Sequence, residues 1–101
     1  MSKAAKIERR WRQGASKDVS EADMLLVLEA NGFRMRRDRG NHWLAEHRLL
    51  AEHPQFGLSG PVGRVKINCH YRGQAGKVHP AAVKDVLRAL DWIRSVEGET
   101  E

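Results

Sequence analysis

The amino-acid sequence predicts a small α+β protein, with two helices packed on one face of a three-stranded antiparallel sheet and a basic helical arm in front. Three observations predict it. Apolar and polar residues alternate over two segments, Phe33 to Arg39 and Val65 to Tyr71, as in strands buried on one side only, and a Gly-Asn turn returns a further strand between them. Apolar residues recur at helical spacing from Val83 to Ile93 after those segments, and a capped apolar run, Met24 to Leu28, precedes them. Turn and cap residues fall at the junctions. A helix, three strands and a helix in this order form a two-layer domain with both helices on the same sheet face, which leaves the other face open.

Residues 4 to 13 predict a short basic helix carrying Ile7 and Trp11 one turn apart, enough to dock one side on the body. Gly14 to Lys17 break it. Ser20, with Asp23 three residues on, resembles a capping box and precedes the run Met24-Leu25-Leu26-Val27-Leu28, so a helix is expected over about 20 to 31. Asn31-Gly32 ends it, because glycine supplies the left-handed conformation that closes helices.

Phe33 to Arg39 alternates Phe33 and Met35 with Arg34 and Arg36, the pattern of a first strand. Gly40-Asn41 reads as a tight hairpin turn, with His42 opening a second strand that runs to about residue 49. Ala51 to Gly63 carries Pro54, Gly57, Gly60, Pro61 and Gly63 and is expected to be a long loop. Val65, Ile67, Cys69 and Tyr71 then alternate with Lys66, Asn68 and His70, giving a third, half-buried strand. Gly73 to Lys77 reads as a flexible connection. Pro80 suits the first turn of a last helix over about 80 to 94, with His79 as an unfavoured cap and Val83, Val86, Leu87, Leu90 and Ile93 facing the core. Leu25, Leu28, Val83, Leu87 and Leu90 are the expected centre of the core.

With 101 residues the chain is one domain in length, enough for a modest core. It carries 18 Lys and Arg against 13 Asp and Glu, a net charge of +5, and has a pI near 9.9, which favours a polyanionic partner. The positive charge gathers in an arm at 1–18 and in the first hairpin, and the negative charge in a tail at 96–101, on either side of a domain at 19–95. The single cysteine, Cys69, forms no internal disulfide and fits a reducing compartment. No apolar run approaches the length of a membrane span, and no hydrophobic segment follows the positive N-terminus, so a cytoplasmic protein without a membrane partner is expected.

The chemistry concentrates at Arg36-Arg37-Asp38-Arg39-Gly40-Asn41-His42-Trp43. A positioned imidazole among guanidinium groups suits an RNA phosphodiester, since histidine can move the 2′-hydroxyl proton near neutral pH while arginines hold the phosphate. His42 is the candidate catalyst, with a plain surface histidine as the alternative reading. Arg34, Arg36, Arg37, Arg39, Asn41, Trp43 and Lys77 are the candidate RNA contacts. Trp43 fits either a stacking platform for a base or a core residue under the helices. The spacing of His42, His47 and His53 matches no metal-ligand pair, and no acidic cluster accompanies the hairpin, so neither metal nor cofactor is expected. His47, His70 and Lys77 are candidates for a second acid-base group.

Lys17-Asp18-Val19, Ala30-Asn31-Gly32-Phe33, Arg39-Gly40-Asn41-His42 and Gly76-Lys77-Val78-His79-Pro80, leading into Val83-Lys84-Asp85-Val86-Leu87, together resemble the HicA toxin, or YcfA-like, family over about Lys17 to Leu90. The resemblance implies a double-stranded-RNA-binding-domain-like fold at 19–95. It also implies metal-independent cleavage of mRNA within a type II toxin-antitoxin module, and neutralisation by a HicB-type antitoxin. The family's catalytic histidine falls on His42. Asn41 stands where the family usually has serine, and Trp43 where many members have a second histidine. A non-catalytic RNA-binding domain of the same fold is therefore the alternative.

Overall fold

The computed structural model describes residues 2–40, 42–52 and 63–99. Helices α1 (Lys3–Arg12) and α2 (Glu21–Ala30) lead into strands β1 (Arg34–Arg37) and β2 (His42–Glu46) and a short helix α3 (Arg48–Glu52). Strand β3 (Arg64–Asn68), a ribbon of β4 (His70–Tyr71) and β5 (Gln74–Ala75), and helix α4 (Pro80–Glu99) complete the chain. Strands β1, β2 and β3 form an antiparallel sheet with β2 at its centre, so the protein has the expected α+β architecture.

Local chemistry starts and stops the helices. The Ser20 hydroxyl accepts the Asp23 N–H at 3.1 Å, satisfying one of the free donors at the start of α2. Asn31 ends the helix, with Gly32 following at φ +82°. All five side chains at 24–28 are apolar, so hydropathy alone does not choose among them. Met24, Val27 and Leu28 are the ones fully buried, whereas Leu25, expected at the centre, is only partly so. The reason is helical geometry: positions 24, 27 and 28 share one face, and position 25 lies off it.

The core joins Val27 and Leu28 of α2 to Ala45, Val65 and Ile67 of the sheet and to Val83, Val86, Leu90 and Ile93 of α4, so both helices lie on one sheet face. Leu87 packs at its margin.

The basic arm docks on the body over its described residues, as the spacing of Ile7 and Trp11 predicts. Ala4, Ile7 and Trp11 of α1 are part of the same core, and α1 packs on α2 and α4. Glu8 is buried between the helices, where Arg94 of α4 grips its carboxylate with two hydrogen bonds of 2.7 and 2.8 Å and Arg12 adds a third at 2.9 Å. Arg12 also bonds Asp91 at 2.9 Å. A buried carboxylate is tolerable only with such pairing.

Three further expectations are corrected. The second strand stops at Glu46, not near 49: the His47 Nδ1 accepts the Leu49 N–H at 3.1 Å and starts α3, which turns Leu49 and Leu50 into the core. The loop expected at Ala51 to Gly63 therefore begins with two helical residues, and residues 53–62, His53 included, lie outside the described residues. The third strand divides at Cys69, and Gly73 to Lys77 is no flexible link. Arg72 and Gly73, at φ +52° and +75°, make the two-residue turn of the β4–β5 ribbon, whose backbone conformation suits the twist of a tight hairpin. Finally, α4 runs to Glu99 with Val96 buried, so residues 96–99 are its last turn, not a separate tail.

Hydrogen bonds from Arg94 hold the Glu8 carboxyl below its ordinary value of 4.5. A depressed folded value means that the stability Glu8 contributes is fully present above pH 4.5 and is lost as the pH falls through the folded value. Arg94→Ala is expected to lower the unfolding free energy by about 1 to 3 kcal/mol at neutral pH. In urea titrations the gap from the unsubstituted protein should narrow steadily below pH 4.5.

Candidate functional site

Strand register decides which candidate residues share a surface. In antiparallel pairing, directly opposed residues lie on the same sheet face. Arg34, Glu46 and Arg64 form one row across the three strands, Arg36, Leu44 and Lys66 the next, and His42 with Asn68 the third. All of these lie on the face away from the helices. The intervening rows, Met35-Ala45-Val65 and Arg37-Trp43-Ile67, face the core.

This face is therefore basic, as expected, with Arg34, Arg36, Arg64 and Lys66 around one carboxylate, but Leu44 at its centre is buried. Glu46 takes Arg36 at 3.4 Å and Arg64 at 3.5 Å. Of the sequence candidates among the described residues, this face brings together only His42, Arg34 and Arg36. Arg37 is turned to the other side, its guanidinium 4.5 Å above the Trp43 ring and hydrogen-bonded to the Gly40 carbonyl at 2.5 Å. Arg39 is exposed at the tip of the hairpin, and Asn41 lies outside the described residues. Lys77 lies next to α2 and pairs with Asp18. That pairing holds the Asp18 carboxyl below its ordinary range.

Trp43 departs most from the stacking-platform reading. Its indole packs against the core, Arg37 covers it, and its N–H donates to Glu21 Oε2 at 2.9 Å. The core alternative describes it better.

His42 opens β2. The ladder extends one step beyond the strands, because the Asp38 N–H donates to the His42 carbonyl at 2.9 Å. The connection from Asp38 to His42 is thus three residues long, one more than a Gly-Asn tight turn has. The His42 imidazole is half-buried, and its Nδ1 is enclosed without a hydrogen-bond partner among the described residues. Whatever exposure the ring keeps is on the side away from Nδ1.

That ring lines a cleft of about 350 Å³ together with Lys66, Asn68, His79, Ala81, Ala82 and Asp85. His79 is the residue that sequence reasoning missed as a site component. Its backbone N–H donates to the Asn68 carbonyl at 2.9 Å, which fixes the start of α4 beside the end of β3. The place of His79 just before Pro80, as an unfavoured cap, was visible; its position in the same cleft as His42 depends on the return path through β4 and β5. Lys66, Asn68 and Arg64 carried a signal in the alternation of the third strand, which already turned them away from Val65 and Ile67.

The other candidates for a second acid-base group lie elsewhere. His47 sits by Phe33, ring centroids 5.0 Å apart, and burial holds it below its ordinary value. His70 is exposed in the ribbon, and its N–H is bonded to Asn68 Oδ1 at 3.0 Å. Cys69 is fully buried, and burial pushes its thiol up to about 12, so it is a poor nucleophile. Among the described residues no three His, Cys, Asp or Glu side chains come together as a metal site, and no helix is long and apolar enough to cross a membrane.

The indole contact has a measurable consequence. Trp43→Phe keeps an aromatic ring against the core but is smaller and removes the donor to Glu21, and is expected to lower stability by about 1 to 3 kcal/mol in chemical denaturation. An indole serving only as an exposed platform would leave the denaturation midpoint in place.

The chain matches no protein-family model, and no curated protein or solved structure is significantly similar to it.

Proposed function

We propose that the protein is a metal-independent endoribonuclease that binds single-stranded mRNA across its open sheet face and cleaves it in the cleft at His42. The observation that carries this reading is the placement of two imidazoles, His42 and His79, with Lys66 in one cleft at the end of a basic sheet face. The resemblance of the hairpin and the last helix to the HicA family points the same way. It makes this a double-stranded-RNA-binding-domain-like fold, acting in the cytoplasm as the toxin of a type II module and restrained by a HicB-type antitoxin over the His42 edge.

In this reading His42 takes the proton from the ribose 2′-hydroxyl as its oxygen attacks the adjacent phosphorus. The bond from phosphorus to the 5′-oxygen breaks, and that oxygen takes a proton from solvent. The products are a 2′,3′-cyclic phosphate and a free 5′-hydroxyl. Lys66 supplies positive charge to the phosphate, while Arg34, Arg36 and Arg64 hold the strand along the face.

Phosphate contacts make affinity depend on salt. With about three to five cations engaged, the logarithm of affinity for single-stranded RNA should fall with the logarithm of salt at a slope of about −2 to −3.5. Replacing Arg36 and Lys66 together by Ala should reduce that slope by about 1.4 and weaken binding to all sequences about equally. A flat salt response would make the basic face a solubility device.

His42→Ala should slow cleavage by about 100- to 10,000-fold without a large change in melting temperature. End-labelled RNA incubated with and without chelator provides the assay, with cyclic-phosphate ends as its product signature. Expressed alone, the unsubstituted chain should arrest growth and the variant should not. If the protein binds RNA in a salt-sensitive way but leaves it intact between about pH 5 and 8, the non-catalytic RNA-binding domain becomes the conclusion.

A further inference from the structure

Proton transfer at His42 and the positive charge of Lys66 leave open which group donates a directed hydrogen bond to the phosphoryl oxygens as charge builds on them during attack. We infer that His79 does so, donating a hydrogen bond from its Nε2–H to a non-bridging oxygen of the scissile phosphate as a fixed, neutral donor. This inference rests on the reading of the cleft as a ribonuclease site.

The two nitrogens of His79 are not equivalent. The Ala81 N–H donates to Nδ1 at 3.1 Å, so Nδ1 must present its lone pair, and the proton of the neutral ring sits on Nε2. The rest of the residue is held just as firmly. Its N–H is bonded to the Asn68 carbonyl and its own carbonyl to the Ala82 N–H, each at 2.9 Å, and the Tyr71 ring meets the imidazole edge-on with centroids 5.0 Å apart. A donor whose direction is set before the substrate arrives costs no reorganisation when charge develops, which is where such groups act most strongly. A ring with its Nδ1 lone pair already engaged and its Nε2 protonated has no free lone pair with which to act as a base. His42 and His79 therefore divide the work: one exchanges the proton, the other meets the charge.

A set of three substitutions separates this role from a structural one. His79→Asn puts an acceptor where Nδ1 lies and can cap Ala81, but its amide is too short to reach the phosphate. His79→Gln puts an N–H near the position of Nε2 and leaves the cap weaker. His79→Ala removes both. Steady-state cleavage of RNA, giving kcat and KM, and melting temperature are measured for each, beside the unsubstituted protein and His42→Ala. His79→Ala should lower kcat by about 100- to 1,000-fold with little change in KM. His79→Gln should stay within about tenfold of the unsubstituted protein, and His79→Asn should regain melting temperature while remaining as slow as His79→Ala.

Activity that follows melting temperature across the three variants would overturn the inference in favour of a structural role, as would a His79→Ala protein of full activity. A 5′-bridging phosphorothiolate RNA, whose leaving sulfur needs no proton, tests the remaining role. Selective rescue of His79→Ala by that substrate would make His79 a general acid and overturn the neutral-donor assignment. An unsubstituted protein that cuts no RNA, or one that His42→Ala leaves unimpaired, removes the ribonuclease reading itself and the inference with it.

Discussion

The register of β2 against its two neighbours is the constraint on which the rest of the structure depends. Side chains alternate along a strand, so a slip of one residue would exchange the two faces of the sheet. His42, Leu44 and Glu46 would turn towards the helices, and Trp43 and Ala45 would turn to solvent. Two features oppose such a slip. Ala45 is fully enclosed between Met35 and Val65 where the helices pack, a position that Leu44 or Glu46 could not fill without displacing them. The Trp43 indole reaches Glu21 at the start of α2, tying the strand to a helix end at a specific distance. The packing of the core is thus what holds His42 on the opposite face, beside the basic rows.

A second element of order comes from the segment after β3. Continued as a regular strand, residues 69 to 71 would carry the chain away from the sheet. Instead the Asn68 side chain takes the His70 N–H, the Cys69 carbonyl takes the Gly76 N–H, and the Asn68 carbonyl takes the His79 N–H. The Val78 N–H then bonds the Val19 carbonyl, and the Glu21 N–H bonds the Gly76 carbonyl, so the returning chain is stitched to the entry of α2 as well as to β3. The β4–β5 ribbon is short and exposed, but it is the device that sets His79 beside Asn68. Lys77 lies on the α2 side of this path, which is why its ammonium meets Asp18 and not the cleft.

What was legible in the sequence follows from whether the signal was local. Ser20 with Asp23, Asn31-Gly32 and Pro80 announce helix ends through bonds that span a few residues, and those ends are where the structure has them. The alternation around Val65 and Ile67 placed the third strand and turned Lys66 outward. The apolar run at 24–28 carried no periodicity, so the buried face of α2 could only be chosen by the sheet beneath it. His47 looked like part of a strand because its capping bond to Leu49 leaves no trace in hydropathy. The ribbon turn was hidden for a related reason: Arg72 adopts a positive φ that arginine seldom takes, and only Gly73 beside it is a turn signal. The site was half legible. His42 and the basic hairpin stood out together, but the tight spacing that grouped Arg37, Trp43 and Arg39 with them counted neighbours in sequence as neighbours on a face.

The charges of the face bear on how binding and chemistry are divided. Within the cleft one cation, Lys66, is accompanied by the carboxylate of Asp85, so the cleft by itself offers a phosphate little net attraction. Along the strands Arg34, Arg36 and Arg64 outnumber Glu46, whose carboxylate is shared between Arg36 and Arg64. On the proposed function, affinity would thus come mainly from phosphates remote from the reacting one. Binding energy gained at a distance can hold the scissile group against donors that act only as charge develops, which raises the rate more than added attraction at the reacting phosphate would. On the same proposal, a cleft of little net charge flanked by a basic track would also release a cleaved strand readily, because cutting would divide the contacts between two shorter products. The placement of Glu46 among the arginines would have the same sense under that proposal: it positions the Arg36 and Arg64 guanidinium groups across the sheet, and its negative charge would limit how tightly any one stretch of RNA is held.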